Sequence, residues 1–502
     1  MTRSKTVGEL RSQGYSVVPV KEEIRSNLIR KLQSGEPLFA GIVGYEKTVV
    51  PALVNALLAR HDILLLGLRG QAKSRIVRLL PSLLDESIPA IKGCEINDNP
   101  YKPVCKRCVD LVSQFGEDVE IEWLPRSQRF SEKLATPDVT IADLIGDIDP
   151  IKAATQRLHY AHEGAIHYGI IPRTNRGIFA INELPDLQPR IQVGLFNIME
   201  EKDIQIRGFN VRIPLDVMIV FTANPEDYTN RGNLITPLKD RIDSQILTHY
   251  PRSIEDSIRI TEQEAWTHRD GRNLKVPQYF REIIEQIAFE ARKSEFVDQK
   301  SGVSARLTIA SMENLISNAE RRAIILNDPC VVPRICDLPH ALPGMTGKIE
   351  LVFEGEQEGS VKVSKALIGK AVRAVFQNYF PDPLQRKPKE RGETARHTDD
   401  SEYSKIVGWF ESGNVVEVGD DMPLEAYSRE LDRVKGLKEV TKKHLKLNET
   451  DKYELASAME FVLDALHQCS KIAKEDVDHI TTYKDLVGSI FTSRGKQMEE
   501  EM

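Results

Sequence analysis

The sequence predicts an α/β protein in which a mostly parallel sheet, flanked by helices, is followed by mainly helical regions. Between Asp62 and about Tyr250, short apolar segments such as ILLLG, GIFAINE and DVMIVFTAN alternate with amphipathic helical segments. Strands that alternate with helices in this way usually form a parallel sheet covered on both faces. From Pro251 onward, apolar residues recur mainly at helical spacing, which indicates a second, helical region.

Composition places the chain among ordinary globular proteins. Of its 502 residues, 41% are hydrophobic and 28% are charged, which leaves enough apolar area for several domains with their own cores. The sequence shows neither an apolar run of transmembrane length nor a signal-peptide core, so we expect a cytoplasmic protein without membrane contact. The net charge of -7 makes nucleic acid an unexpected partner.

Changes in composition divide the chain into five regions. We expect a helical lead-in at 1–60, an α/β core at 61–250, a mainly helical domain at 251–380, a linker at 381–402 and a separate helical region at 403–502. Within the core we expect a cysteine-bearing loop at 88–125 and a hairpin at 203–214, around Arg207 and Gly208. The linker is charged and poor in apolar residues. KIELVFEG and SVKVS indicate strands within the helical domain.

The segment GLRGQAKS, between the strand ILLL and a predicted helix, has the pattern of a phosphate-binding loop. A glycine turn that opens a helix presents backbone N–H groups and the positive helix end to phosphate oxygens. Gly67 and Gly70 allow the turn, and the Lys73 ammonium would reach the terminal phosphates. The Ser74 hydroxyl would coordinate Mg²⁺. The alternative is a helix entry that carries an incidental lysine.

Ala72 departs from the usual loop pattern, which has a second glycine at this position. An alanine fits a helix entry if its backbone angles are ordinary. We therefore expect the loop, including Gln71 and Ala72, to bind a nucleotide.

Polar residues end two later strands of the predicted sheet. GIFAINE ends in Asn182 and Glu183, and the strand in FTAN ends in Asn224. Because the carboxyl ends of parallel strands lie at one edge of a sheet, we expect these side chains to lie near the glycine loop. The three segments together indicate one nucleotide site.

In the order and spacing of these motifs, the stretch from about Gly41 to Phe380 resembles an AAA+ ATPase of the magnesium-chelatase ATPase-subunit and MoxR-like group. GLRGQAKS is similar to Walker A, INE to Walker B and FTAN to sensor 1. The resemblance implies that the Walker A residues and Asn182 bind ATP and Mg²⁺. It also implies that Glu183 polarises the attacking water and that Asn224 positions it.

The same resemblance assigns two arginines. TPLKDRIDSQI is similar to the family's LLDRF segment, which implies that Arg241 is an arginine finger acting on a neighbouring subunit. SARLTIASMENL is similar to the sensor 2 segment of the family's helical lid, which implies that Arg306 reaches back to the phosphates. The domain at 251–380 would then be that lid.

The Walker B segment departs from the family at Asn182, where an aspartate is usual. The amide keeps an oxygen for magnesium-bound water but removes a negative charge beside the cation, so we expect weaker Mg²⁺ binding and slower turnover. Glu183 is present, which favours an active but slow ATP hydrolase.

Cys94, Cys105 and Cys108 lie in the polar loop with the spacing C-x10-C-x2-C. Three thiolates suit tetrahedral Zn²⁺, and a metal would stabilise an insertion that is too polar to form a core. Only half of a two-pair zinc pattern is present, so three ordinary thiols are the alternative. Candidates for a fourth ligand lie in other segments: Cys330, Cys336, His159, His162 and His167.

Taken together, these features predict a homo-hexameric AAA+ ring that hydrolyses ATP to remodel a protein client. The resemblance implies a partner that carries a von Willebrand factor A domain. The alternatives are a magnesium-chelatase ATPase subunit in tetrapyrrole biosynthesis, a nucleic-acid motor, and an ATP-dependent scaffold without hydrolysis. The GAFTGA loop of enhancer-binding transcription activators is absent from the sequence, which argues against that class.

Overall fold

The computed structural model describes residues 3–155, 163–206, 212–225, 234–269, 273–384, 402–445, 451–477 and 480–486. His159, His162, Arg207, Gly208 and most of the predicted linker lie outside these ranges. The chain divides into two compact units, Met1–Tyr250 and Pro251–Met502. Within the described ranges, none of the helices is both long and apolar enough to cross a membrane.

The first unit alternates helices and strands along most of its length. Its helices are α1 (Val7–Ser12), α2 (Val20–Ser34), α3 (Val49–Leu58), α4 (Lys73–Leu79), α5 (Lys106–Phe115), α6 (Ile141–Leu144), α7 (Pro150–Thr155), α8 (Ile170–Arg173), α9 (Pro189–Gly194), α10 (Phe196–Glu200) and α11 (Thr236–Arg241). Its strands are β1 (Ile63–Leu66), β2 (Ser87–Ile91), β3 (Ile121–Pro125), β4 (Phe130–Leu134), β5 (Gly146–Ile148), β6 (Ile166–Tyr168), β7 (Gly177–Asn182), β8 (Asp203–Gln205), β9 (Arg212–Pro214), β10 (Val217–Ala223) and β11 (Ser244–Leu247).

Five parallel strands form the central sheet of this unit, in the order β11-β1-β10-β7-β4. Ile63 and Leu65 of β1 belong to one apolar cluster, whereas Leu64 and Leu66 belong to a second. Because successive side chains of a strand point to opposite faces, the sheet is buried between two apolar layers. The predicted fold class, a parallel sheet flanked by helices, is therefore confirmed.

The first 60 residues are built into the first unit through a buried ion pair. Glu23 of α2 accepts hydrogen bonds of 2.7 and 2.6 Å from the two terminal nitrogens of Arg129. Arg129 is fully buried, and its Nε donates to the Arg176 carbonyl at 2.8 Å. The lead-in thus supplies the countercharge for a guanidinium beside the sheet.

Three antiparallel pairs of the described structure lie outside the central sheet of the first unit: β2 with β3, β5 with β6, and β8 with β9. The predicted loop at 88–125 contains most of β2, all of β3 and, between them, the three cysteines and α5. β8 pairs with β9, so the described parts of the predicted hairpin at 203–214 form two strands.

The second unit is mainly helical. Its helices are α12 (Ile254–Glu264), α13 (Gln278–Ala291), α14 (Arg306–Leu326), α15 (Leu342–Thr346), α16 (Phe353–Glu358), α17 (Ser360–Tyr379), α18 (Ser404–Glu411), α19 (Leu424–Asp432), α20 (Leu437–His444) and α21 (Lys452–Gln468). Its strands β12 (Val416–Gly419), β13 (Ala473–Val477) and β14 (Ile480–Lys484) form one antiparallel sheet in the order β12-β14-β13.

This unit differs from the prediction of a lid and a separate C-terminal region. α13, α17 and α21 contribute to one apolar core. The rings of Tyr279 and Phe461 stack with centroids 4.7 Å apart, and the hydroxyl oxygens of Tyr279 and Ser457 lie 2.8 Å apart. The apolar residues at helical spacing in the last hundred residues are therefore buried against the lid helices rather than against one another alone.

The two strands predicted within the lid are absent from the described structure. SVKVS forms the first turn of α17, and KIELVFEG contains an isolated bridge between Leu351 and Val297 before α16 begins. Val363, Leu367 and Ala371 are buried at four-residue steps, so the longer helical period outweighs the short alternation.

Candidate nucleotide-binding site

The glycine loop lies between β1 and α4, where the sequence predicts it. A Cβ on Gly67 would come within 1.9 Å of Thr248 Oγ1 and 2.2 Å of Gln71 Oε1, so this position has no room for a side chain. Thr248 Oγ1 donates to Gln71 Oε1 at 2.7 Å. Gly70 adopts a φ of +73°, which favours glycine. The loop therefore needs glycine at both predicted positions.

A buried tyrosine fixes the loop from the side of the N-terminal lead-in. The Tyr45 hydroxyl lies 2.9 Å from the Gln71 carbonyl oxygen and 2.7 Å from the His249 carbonyl oxygen. Burial raises the pKa of Tyr45 to about 12, so the hydroxyl keeps its proton as a donor at neutral pH. Tyr45 is a positioning residue that the sequence analysis missed, because its distance along the chain gives no sign of this contact.

Ala72 has left-handed backbone angles, with φ +56° and ψ +15°. The condition of ordinary backbone angles for an alanine is therefore not met, and the turn keeps the conformation of the usual glycine. For a residue with a Cβ, this conformation costs about 1–2 kcal/mol. The loop thus retains its shape with a strained residue at the entry to α4.

Lys73 and Asn224 meet at the ends of neighbouring strands. Lys73 Nζ donates to the Leu68 carbonyl at 2.9 Å, to the Gly67 carbonyl, and to Asn224 Oδ1 at 2.7 Å. Asn224 directly follows β10, which pairs with β1. The structure therefore brings the lysine of the glycine loop and Asn224 together, as the shared sheet edge predicts. Ser74 is half-buried in the first turn of α4.

Asn182 is buried at the end of β7, and both ends of its amide are hydrogen-bonded. Its Nδ2 donates to Glu132 of β4, and its Oδ1 accepts from Thr222 Oγ1 at 3.2 Å. Glu132 also accepts from Arg78 of α4, at 2.8 Å from Nε and 3.1 Å from Nη2. The sequence analysis missed Glu132 and Thr222, because β4 mixes polar and apolar residues and shows no clear strand pattern.

Glu183 follows with φ +56° and ψ +49°, a left-handed conformation that is uncommon for a residue with a side chain. Its N–H donates to Thr222 Oγ1 at 3.1 Å, which fixes the turn, while its side chain is exposed. Backbone strain of this kind often occurs at functional sites. The exposed side chain thus follows directly on the carboxyl end of β7, at the residue to which the resemblance assigns the water-polarising role.

The two predicted arginines belong to different units. Arg241, the last residue of α11, forms an ion pair with Glu200 at 2.9 Å and stacks over Phe196 at 4.5 Å. Its Nη1 donates to the Pro237 carbonyl at 2.8 Å. Arg306 belongs to the second unit, where it is exposed at the first position of α14. Arg241 thus has contacts within its own chain.

The three predicted cysteines converge, together with an aspartate. Cys94 Sγ lies 3.9 Å from Cys105 Sγ, and ligand atoms of Cys94, Asp98, Cys105 and Cys108 all lie within 4.8 Å of one another. Burial and the neighbouring Cys94 raise the pKa of Asp98 to about 6. The proposed alternatives for a fourth ligand that lie in the described residues, Cys330, Cys336 and His167, do not belong to this group.

Sequence comparisons find known proteins that match parts of this chain. Residues 159–246 match the family model of the Sigma-54 interaction domain. This stretch carries Asn182, Glu183, Asn224 and Arg241 but not the glycine loop, and it is less than a fifth of the chain. An archaeal Lon protease from Thermococcus kodakarensis is 29% identical over 168 residues, which cover 30% of this chain and 25% of that protein. The chain thus spans about a quarter of the length of this relative.

Solved structures with a related arrangement include a model of the BchI and BchD subunits of magnesium chelatase. It is 21% identical, covers 64% of this chain and 99% of that one, and has a TM-score of 0.33. A putative ATPase from Cytophaga hutchinsonii is 16% identical, covers 72% and 97%, and has a TM-score of 0.30. NtrX from Brucella abortus in complex with ATP is 12% identical, covers 73% and 65%, and has a TM-score of 0.35.

The family-model match, together with the sheet and the loop geometry described above, supports an AAA+ ATPase as the broad class. The match does not separate the magnesium-chelatase and MoxR-like group from other AAA+ proteins.

Proposed function

We propose that this protein is a ring-forming AAA+ ATPase, a homo-hexamer, that binds and slowly hydrolyses MgATP to remodel a protein partner. The contact of 2.7 Å between Lys73 Nζ and Asn224 Oδ1 is the main support. It joins a glycine loop at the end of β1 to a polar residue at the end of β10, which is where parallel sheets bind nucleotides.

The side chains around this contact suit distinct parts of phosphoryl transfer. The loop N–H groups and the positive end of α4 would bind the phosphates, with Lys73 exchanging its carbonyl contacts for phosphate oxygens. Ser74, Asn182 and Glu183 offer oxygen atoms, the ligand type that Mg²⁺ prefers. When bound, Mg²⁺ would neutralise phosphate charge. Glu183 would accept the proton of the attacking water, and Asn224 would orient that water.

Two arginines would complete the site. We assign Arg241 to the nucleotide of a neighbouring subunit, where its cationic fork would stabilise the transferring phosphoryl group. In this proposal Arg241 leaves Glu200 when the ring forms. Arg306 would contact the phosphates as sensor 2.

Replacement of one lysine tests nucleotide binding. Lys73→Ala should weaken ATP affinity at least about 100-fold in calorimetry, because it removes the principal side-chain charge at the terminal phosphates. Lys435→Ala, which removes an exposed lysine of the second unit, is the control and should keep the affinity of the unchanged protein. Equal affinities for all three proteins would contradict the proposed site.

Two alternatives each have an observation in their favour. The uncharged Asn182 favours a scaffold that binds ATP without cleaving it. The family-model match favours a partner related to sigma-54 transcription, although the sequence lacks the GAFTGA loop. If the unchanged protein hydrolyses ATP in a single turnover and Glu183→Gln does not, the result would support the proposed ATPase. If neither the unchanged protein nor Glu183→Gln cleaves ATP, the result would support the scaffold. A von Willebrand factor A partner and the chelatase role rest on the family resemblance alone.

A further inference from the structure

We infer that the first unit holds one tetrahedral Zn²⁺ ion, bound by Cys94, Asp98, Cys105 and Cys108. The sequence pattern offers three thiols without a fourth ligand. The fold brings the Asp98 carboxylate, from the same loop, within 4.8 Å of all three sulfurs. This inference is independent of the proposed ATPase activity.

The distances fit a single ion. Zn–S bonds of about 2.3 Å in a tetrahedron place two sulfurs about 3.8 Å apart. The Sγ atoms of Cys94 and Cys105 lie 3.9 Å apart, which is far too long for a disulfide bond. A cluster of several metal ions would hold its ligands farther apart than a single ion does. The geometry therefore favours a mononuclear site.

Asp98 gives a second, independent indication. Its side chain is fully buried, and its Oδ1 has no hydrogen-bond partner among the described residues. Its Oδ2 accepts from the Cys105 N–H at 3.0 Å. A buried carboxylate oxygen without a partner is costly, and a cation bound at Oδ1 would remove that cost.

Backbone donors support the sulfurs. The Asp98 N–H donates to Cys94 Sγ at 3.3 Å, and the Cys108 N–H donates to Cys105 Sγ at 3.4 Å. Cys105 caps the N-terminus of the ten-residue helix α5, where the helix dipole favours a thiolate. N–H groups aimed at ligand atoms are the usual outer shell of a metal site.

The ion would have a structural role, because four protein ligands leave no open coordination position. It would also brace the start of β7. The Ile96 carbonyl accepts from Asn175 at 3.0 Å, and Asn97 donates to the Arg173 carbonyl at 2.8 Å. The metal-bearing loop is thus tied to the residues directly ahead of the strand that ends in Asn182.

Elemental analysis and cobalt substitution test the site. The full chain, purified without chelators, should contain about one zinc per chain, and Co²⁺ exchanged into it should show intense thiolate-to-metal absorption with tetrahedral ligand-field bands. Asp98→Ala should weaken zinc affinity at least about tenfold. Asp110→Asn, which changes an exposed carboxylate of α5, is the matched control and should not change the affinity.

Three results would overturn the assignment. A natively folded protein that contains neither zinc nor a cobalt spectrum would remove the site. Iron in place of zinc would show that the bound metal is not zinc. Wild-type affinity in Asp98→Ala would exclude the fourth ligand. If Asp98→Ala does not fold, Asp98→Asn, which keeps the shape of the side chain but removes the anionic ligand, should weaken zinc affinity and shift the cobalt ligand-field bands. An unchanged affinity and spectrum in Asp98→Asn would exclude Asp98 as the fourth ligand.

A second observation, at the nucleotide site, carries a separate inference that rests on the proposed function. The geometry points to Glu132 as the carrier of the negative charge that the Walker B segment lacks. Glu132 lies on β4 beside β7, and the register pairs Leu134 with Asn182, so Glu132 and Asn182 share one face of the sheet. The amide of Asn182 donates to the Glu132 carboxylate.

This contact explains why residue 182 is an amide. An aspartate there would place two carboxylates at hydrogen-bond distance, and like charges at that distance disfavour ionisation of both. Arg78 of α4 holds the other side of Glu132, so the carboxylate bridges the Walker B strand and the helix that opens with Lys73. Glu132 would act as a positioning residue for magnesium-bound water.

Four proteins test this exchange of charge: the unchanged chain, Glu132→Gln, Asn182→Asp and the double variant. The Mg²⁺ dependence of ATP affinity is the readout, with Mn²⁺ binding by paramagnetic resonance as a second measurement. In each single variant, the increase in ATP affinity caused by Mg²⁺ should be about tenfold smaller than in the unchanged chain. In the double variant, this increase should return to within about threefold of that in the unchanged chain. Glu120→Gln, which removes an exposed carboxylate paired with Lys92, is the control.

A gain in Asn182→Asp alone, with no effect of Glu132→Gln, would overturn this inference while leaving the ATP site intact. A chain that binds no ATP at all would instead overturn the proposed function. The two failures are therefore distinguishable.

Discussion

Ala72 and Asn182 both stand where a nucleotide-binding pattern has another residue, yet the structure accommodates them in different ways. At Ala72 the backbone keeps the left-handed angles of the usual glycine, so the shape is kept and the residue is strained. At Asn182 the backbone is ordinary strand, while the charge is absent from the side chain and present next to it on Glu132. The first departure thus leaves strain in the backbone, whereas the second places a carboxylate beside an uncharged side chain.

The largest expected effect tests how much the loop depends on its shape. Gly67→Ala would force Thr248 and Gln71 apart, because the new Cβ would come within 1.9 Å of Thr248 Oγ1. We expect a loss of about 1–3 kcal/mol in the free energy of unfolding of the first unit and at least about tenfold weaker ATP binding. Calorimetry and denaturant titration measure both. Gly347→Ala, at a position with open space around it, is the control.

A smaller effect is expected at Asn182, where the prediction tests the hydrogen bonds around the side chain. Thr222→Val keeps the shape of the side chain but removes the hydroxyl that accepts from the Glu183 N–H and donates to Asn182. We expect a loss of about 0.5–1.5 kcal/mol in stability and slower ATP cleavage with little change in ATP affinity. Unchanged single-turnover rates would show that the turn at Glu183 does not need this hydroxyl.

The smallest expected effect tests the strain itself. Ala72→Gly should relieve the left-handed Cβ, and the gain is reduced by the greater freedom of glycine in the unfolded chain, which leaves about 0–1 kcal/mol of stabilisation. ATP affinity should be unchanged, since the loop already has the glycine-like shape. A clear loss of stability, measured by thermal unfolding, would show that Ala72 is not strained.

The sequence predicts the centre of the sheet better than its edges. β1, β7 and β10 are apolar runs buried on both faces, and they lie in the middle of the strand order. β4 and β11, the edge strands, mix polar and apolar residues, so periodicity alone does not reveal them. Glu132 lies on β4, which is why the partner of Asn182 could not be predicted.

The same distinction holds for the rest of the candidate site. The meeting of Lys73 and Asn224 follows from parallel strands sharing one edge, and it could be predicted. Asp98 could not be, because one carboxylate in a polar loop has no spacing that marks it as a ligand. The sequence also predicts a separate region from residue 403, whereas segments on both sides of the linker share one apolar core. A polar linker gives no information on whether the segments that flank it pack together.

The ion pair between Glu23 and Arg129 limits where the first unit can be divided. A shortened chain that began at Asp62 would keep the Arg129 guanidinium, fully buried beside the sheet, and lose the carboxylate that neutralises it. An uncompensated buried charge of this kind costs about 3–5 kcal/mol, a large part of the stability of an ordinary domain. A chain of residues 61–250 alone should therefore be much less stable than the whole first unit.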